Sequence, residues 1–146
     1  MALTFTAPAE FTSRRVEMGK TLDVAAIVVT SLFLLALAAV SLIGMVDPQK
    51  ASVGYGMPVT DAAGVLFYRV FVSRNLVIVA AAAIFLLLRL WKPLAILVTL
   101  TAALAVFDMA VLSVNGVTPP AFHAVTLVVI LITAALLWRV ARARLS

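Results

Sequence analysis

The residues able to do chemistry gather in one apolar stretch. Residues 65–79 read VLFYRVFVSRNLVIV and set Tyr68, Arg69, Ser73, Arg74 and Asn75 inside a run that would otherwise dissolve in lipid. Two more such groups stand in apolar surroundings further on, Asp108 and His123. A charge near the centre of a bilayer costs roughly 2.5–3.5 kcal/mol on insertion scales, so Arg69 and Arg74 are expected to face protein, water or an anionic partner. Together the types supply an anion anchor in Arg74, a proton-exchanging pair in Asp108 and His123, and orienting hydrogen-bond groups in Tyr68 and Asn75.

The elements that position these groups follow from composition. The chain has 146 residues, 65% hydrophobic and 12% charged, an apolar share far above that of a soluble domain. Four apolar runs each reach the length of about 20 residues that a hydrocarbon core about 30 Å thick requires. The first covers Leu22 to Val46; it is too long for a signal-peptide core and lacks a small-residue cleavage pattern, so it is expected to be retained. The second runs from Ala62 to Leu90, started by Thr60 or Asp61 as cap. The third covers Leu94 to Val114, with Pro93 in its first turn and Asn115-Gly116 as its stop. The fourth follows Thr118, Pro119 and Pro120 and continues to Val140. The expected architecture is all-α, a polytopic membrane protein built as an antiparallel bundle of four transmembrane helices over residues 21–146. Residues 1–20 form an N-terminal segment expected to be a disordered tail, although Phe5 and Phe11 suit an interface. The segment from Asp47 to Asp61, with Pro48, Gly54, Gly56 and Pro58, reads as a loop.

Other classes are set aside on composition. With no cysteine there is no disulfide framework, thiolate metal site or cysteine nucleophile. The net charge of +5 reflects basic residues beside the spans, with no basic stripe interleaved with aromatics, so nucleic acid is not an expected partner. Arg14, Arg15, Lys20, Arg89, Lys92, Arg139, Arg142 and Arg144 fall on one side and Lys50 on the other. The positive-inside rule then places both termini in the cytoplasm and the protein in a bacterial inner membrane. No phosphate-binding glycine loop, histidine-rich metal pattern or hydrolytic carboxylate pair is readable, so neither metal nor cofactor is expected.

Depth and rotation refine the site. At about 1.5 Å per residue Arg69 lies about 10 Å and Arg74 about 18 Å below the start of the second span, and Asp108 about 10 Å below the end of the third. Arg69, Asp108 and His123 are then expected to share the outer half of the bundle, with Arg74 and Asn75 as its floor. At about 100° per residue Tyr68 and Asn75 share one face, Arg69 and Ser73 another, and Arg74 falls between. Simpler roles are open to each. Asp108 pairs structurally with Arg69 or Arg74, His123 caps a helix or sits at the interface, Tyr68 packs there, and Ser73 bonds its own preceding turn.

From Asp47 onward the segments DPQ, GYGMP and FYRVFVSRN, the FD of the third span and the FH that opens the fourth resemble a domain-of-unknown-function family of small four-helix bacterial membrane proteins. Arg74, Asp108 and His123 match the family's pattern. Asn75 stands where an aspartate is usual, which removes a proton acceptor. The resemblance implies a four-helix fold and no settled reaction.

Three functions are consistent with these residues. The first is an outward-opening intramembrane cavity that binds a small or amphipathic ligand through Arg74, Arg69, Asn75, Tyr68, Asp108 and His123. The second is a membrane-embedded isomerase or hydrolase using Asp108, His123 and Arg74. The third is an accessory subunit of a larger membrane complex, or a homo-oligomer, held through the arginines.

Overall fold

The computed structural model describes residues 9–144, with side chains from Gly19 onward. Five helices follow one another: α1 (Ala9–Val46), α2 (Pro48–Tyr55), α3 (Ala62–Leu87), α4 (Trp91–Val114) and α5 (Ala121–Ala143). Among the described residues no strand is present. Four helices are long and apolar enough to span a membrane: Gly19–Val46 of α1, and α3, α4 and α5. The molecule is an all-α, multi-pass membrane protein.

Two expectations are corrected. Residues 9–20, read as part of a disordered tail, continue α1 as helix; Phe5 and the side chain of Phe11 lie outside the described residues. The segment after Asp47, read as a loop, contains α2. Proline at its first position has no N–H to lose, the Asp47 carboxylate accepts from the Lys50 N–H at 3.0 Å, and Gly56 ends it at φ 96°. The Ser52 hydroxyl donates to the Gln49 carbonyl at 2.8 Å and accepts from the Val59 N–H at 3.0 Å, which folds the outgoing strand of chain back onto α2. Proline and glycine therefore mark the two ends of a short helix instead of forbidding one.

At the start of α3 the cap is Asp61, which accepts from the Gly64 N–H. The α3–α4 turn is Leu88, Arg89 and Leu90, so α3 stops three residues before the expected Leu90 and α4 begins at Trp91. Arg89 adopts φ 54° in this turn and its guanidinium lies 5.9 Å from the Trp91 ring centre. α4 ends where Asn115 and Gly116 predict, Gly116 turning at φ 75°.

The four long helices close into a ring in the order α1, α3, α4, α5, with α1 also against α5. Successive long helices run antiparallel, so the start of α1 and the end of α5 lie at one end of the bundle and α2 at the other. α3 and α4 touch less extensively than α1 does α3, or α4 does α5, although the tightest turn joins them. The half near the termini is packed solid: Leu94, Val98, Leu137 and Val140 are fully buried there, with Ala82, Ala95 and Ala141 between them. Lipid tails are as apolar as leucine, so this packing is held by close dispersion contact between small and branched side chains more than by expulsion of water. Polar ties finish that end, where the Trp138 indole N–H donates to the Thr99 hydroxyl at 3.1 Å and Arg144 pairs with Asp23. The other half contains the polar side chains.

Candidate functional site

Four helical stripes converge below α2. On α3, Tyr68, Phe71, Val72, Asn75 and Ile78 recur at spacings of three and four and so share one face, which points into the bundle. α4 contributes Thr101 and Asp108, seven residues apart, α5 contributes His123 and Thr126, and α1 contributes Ser41. They surround an interior space of about 110 Å³.

Close approach of α1 and α3 shapes one wall. Gly44 is the contact point: a Cβ there would sit 3.0 Å from Val72 Cγ1 and 3.1 Å from Tyr68 Cε1. Without that side chain the Tyr68 ring comes close against α1, and Tyr68 is buried.

Tyr55, the last residue of α2, joins the stripes to one another. Its ring packs edge-on against Tyr68, Phe71 and His123, with centres 6.4, 5.3 and 4.7 Å apart. Its hydroxyl is on the Asp108 side of the cavity, close enough for the carboxylate to act on it, and its carbonyl lies 3.0 Å from His123 Nε2. A carbonyl only accepts, so Nε2 carries the proton; in the neutral ring Nδ1 is then the acceptor. Burial pushes the Tyr55 phenol above the ordinary tyrosine range, and the Asp108 carboxylate raises it further. Tyr55 thus keeps its proton.

Several polar groups at this space are not satisfied by protein. Ser41 is 1% exposed and its hydroxyl has no hydrogen-bond partner. Among the described residues the Asn75 amide makes no hydrogen bond either. The Thr101 hydroxyl, by contrast, bonds its own helix at the Val98 carbonyl, 2.7 Å away. An unpaired buried hydroxyl costs about 1–3 kcal/mol, a debt that a bound polar molecule would remove.

The structure therefore brings Tyr68, Asn75, Asp108 and His123 together and leaves Arg69 and Arg74 apart. Both arginines are exposed on the outside of α3 and neither lines the space. Rotation is the reason: the inward stripe passes through Tyr68, Val72 and Asn75, and Arg69 and Arg74 lie about 100° or more to either side of it. Arg74 is thus not the floor of the site, and the Asp108–arginine pair does not form. Among the described residues the one ion pair is Arg144–Asp23, at the opposite end. Ser73 bonds the Val70 carbonyl at 2.8 Å, as a solitary helical serine does. Asp108 and His123 are the cavity's carboxylate and imidazole, and among the described residues no group of three potential metal ligands forms.

The family model described as Domain of unknown function (DUF4267) matches residues 34–137. The chain belongs to this family. No curated protein and no solved structure matches it. The matched residues begin within α1 and end within α5, so they take in every polar side chain named around the cavity.

Ser41, Tyr55, Thr101 and Thr126 escape a reading of the sequence. Thr101 carries a signal, since it precedes Asp108 by seven residues and so shares its face. Ser41 is a lone hydroxyl in an apolar helix. Tyr55 stands in a stretch of glycine and proline whose position over the bundle depends on tertiary contacts.

Proposed function

We propose that this family member is a membrane-embedded binding protein whose cavity, closed at one end by α2, holds the polar part of a small or amphipathic molecule. The observation that carries this reading is the convergence of Asn75, Tyr55, Tyr68, Asp108 and His123 on a space where the buried Ser41 hydroxyl has no protein partner. A purely structural polar cluster satisfies its own members. Here Tyr55 joins Asp108 and His123, Tyr68 contributes ring contacts, and Ser41 and Asn75 are left for something else. The apolar termini-side half provides the rigid base, and the aromatic ring around Tyr55 limits access to groups of small cross-section.

The distribution of basic residues supports placement in a bacterial inner membrane with cytoplasmic termini. The cavity then lies in the outer half of the membrane, beneath α2. Native lipid extraction followed by intact-protein mass spectrometry tests the binding function. Asn75→Leu preserves volume and removes the amide, so it should lower occupancy of a co-extracted molecule, whereas Arg74→Ala should leave occupancy unchanged. A wild-type protein that carries nothing from its native membrane, or equal occupancy in Asn75→Leu, would overturn the reading.

The second reading is an acid–base enzyme acting on a hydrophobic substrate, favoured by Asp108 and His123 lining one cavity. In that case His123 Nδ1 is the base, since Nε2–H is engaged by Tyr55. Turnover of the co-extracted molecule in wild type but not in Asp108→Asn separates the enzyme from the binder.

A further inference from the structure

We infer that the bundle takes up a cationic amphipath sideways from the bilayer, its compact ammonium head beside Asp108 and its single alkyl chain in the groove between α1 and α5. The inference rests on the binding reading above and adds the ligand's class and its route.

Charge selects the head. Among the residues that line the cavity, Asp108 is the one carboxylate and there is no arginine or lysine. Three aromatic walls, Tyr55, Tyr68 and Phe71, stand around the same space. A half-buried carboxylate among aromatic rings attracts an ammonium both by its charge and through the ring quadrupoles. The arginines that would have suited an anion face outward. Ser41 Oγ and the Asn75 carbonyl are then free to accept from an N–H or from a polar atom next to it.

Volume limits the head. A cavity of about 150 Å³ holds benzene, so one of about 110 Å³ takes roughly four non-hydrogen atoms. That is the size of a primary, monomethyl or dimethyl ammonium with its first carbon, and too small for a phosphate-linked headgroup.

The chain has its own place. A second space of about 380 Å³ runs along α1 and α5 and shares Phe33, Leu37, Val40, Phe122 and Thr126 with the cavity, so the two adjoin along those side chains. Its remaining wall is aliphatic, and its rim at Leu32 and Val125 is more than half exposed on the lipid-facing side. Moving an alkyl chain from lipid to this groove changes little, because both are equally apolar. Discrimination must therefore come from the head, and the groove provides the lateral entrance.

Purified full-length protein in dodecyl maltoside, titrated with octylammonium, methylammonium, 1-octanol and octanoate and read by native mass spectrometry, tests this. Octylammonium should bind about tenfold or more tighter than octanol or octanoate, the size expected for one desolvated charged contact. Asp108→Asn should abolish that preference, and Ala36→Phe, which fills the groove, should weaken octylammonium but not methylammonium. Octanol or octanoate binding as tightly as the ammonium, with a saturable site sensitive to Asn75→Leu, would overturn the cationic head while leaving a binding cavity. Unchanged octylammonium binding in Ala36→Phe would overturn the groove. Absence of saturable binding by all four probes, together with no co-extracted molecule, would overturn both readings.

Discussion

Gly44→Ala is the sharpest test of how the cavity wall is built. The added methyl would lie 3.0 Å from Val72 Cγ1 and 3.1 Å from Tyr68 Cε1, where carbon atoms prefer about 3.5–4.0 Å, so α1 and α3 must part by about 0.5 Å or Tyr68 must turn. Overpacking of this kind costs about 1–3 kcal/mol. Replacing a mid-helix glycine by alanine returns about 0.5–1 kcal/mol of backbone entropy. The net expectation is a loss of about 0–2.5 kcal/mol, centred near 1, with the sign set by packing. Sodium dodecyl sulfate titration in dodecyl maltoside micelles, followed by helical circular dichroism, measures it. Val72→Ala removes the nearest clashing atom, so the double variant should be less destabilised than the sum of the single ones, by about 0.5 kcal/mol or more. Strict additivity, or a stabilised Gly44→Ala, would refute the close approach of α1 and α3.

Two further outcomes follow from Tyr55. The chain has two tyrosines, so in Tyr68→Phe the 295 nm absorbance reports Tyr55 alone. Its folded value is raised above the free value of 10.0 by burial and then by Asp108, so the fold favours the neutral phenol. That contribution is full below pH 10.0, is lost as pH rises through the folded value, and should reduce stability progressively above pH 10.0. Tyrosinate absorbance in the folded protein near the ordinary tyrosine value would contradict this. His123→Phe keeps the ring but removes the Nε2 donor to the Tyr55 carbonyl, a bond of about 0.5–1.5 kcal/mol. α2 should then open more often, and trypsin should cleave after the exposed Lys50 several-fold faster; an unchanged rate would show that α2 is held by other contacts.

The sequence was most legible where one physical rule acts alone. Span length and hydropathy placed four helices, and the Asn115-Gly116 stop and a cap at Thr60 or Asp61 followed from backbone groups that every helix end leaves unpaired, the structure choosing Asp61. The 3.6-residue period put Tyr68 and Asn75 on one face and already separated them from Arg69. Depth did not show which way Arg74 turns, because depth depends on distance along the helix whereas contact depends on rotation against neighbours. α2 was hidden because proline and glycine read the same way at the ends of a short helix as in a loop.

The sequence by itself thus determined a multi-pass all-α protein with Asp108 and His123 in its α2-side half, since both follow from hydropathy and chain order. Tertiary structure alone decided that α1 packs against α3 and α5, that Gly44 admits Tyr68, and that Tyr55 reaches Asp108 and His123 from above. Those contacts join residues distant in sequence, and they rest on shape and on the orientation of single side chains. They also turned the reading of the site from an arginine anchor for an anion into a carboxylate among aromatic rings, because the stripe facing the cavity holds Asp108 while the arginines fall on the flanks of α3.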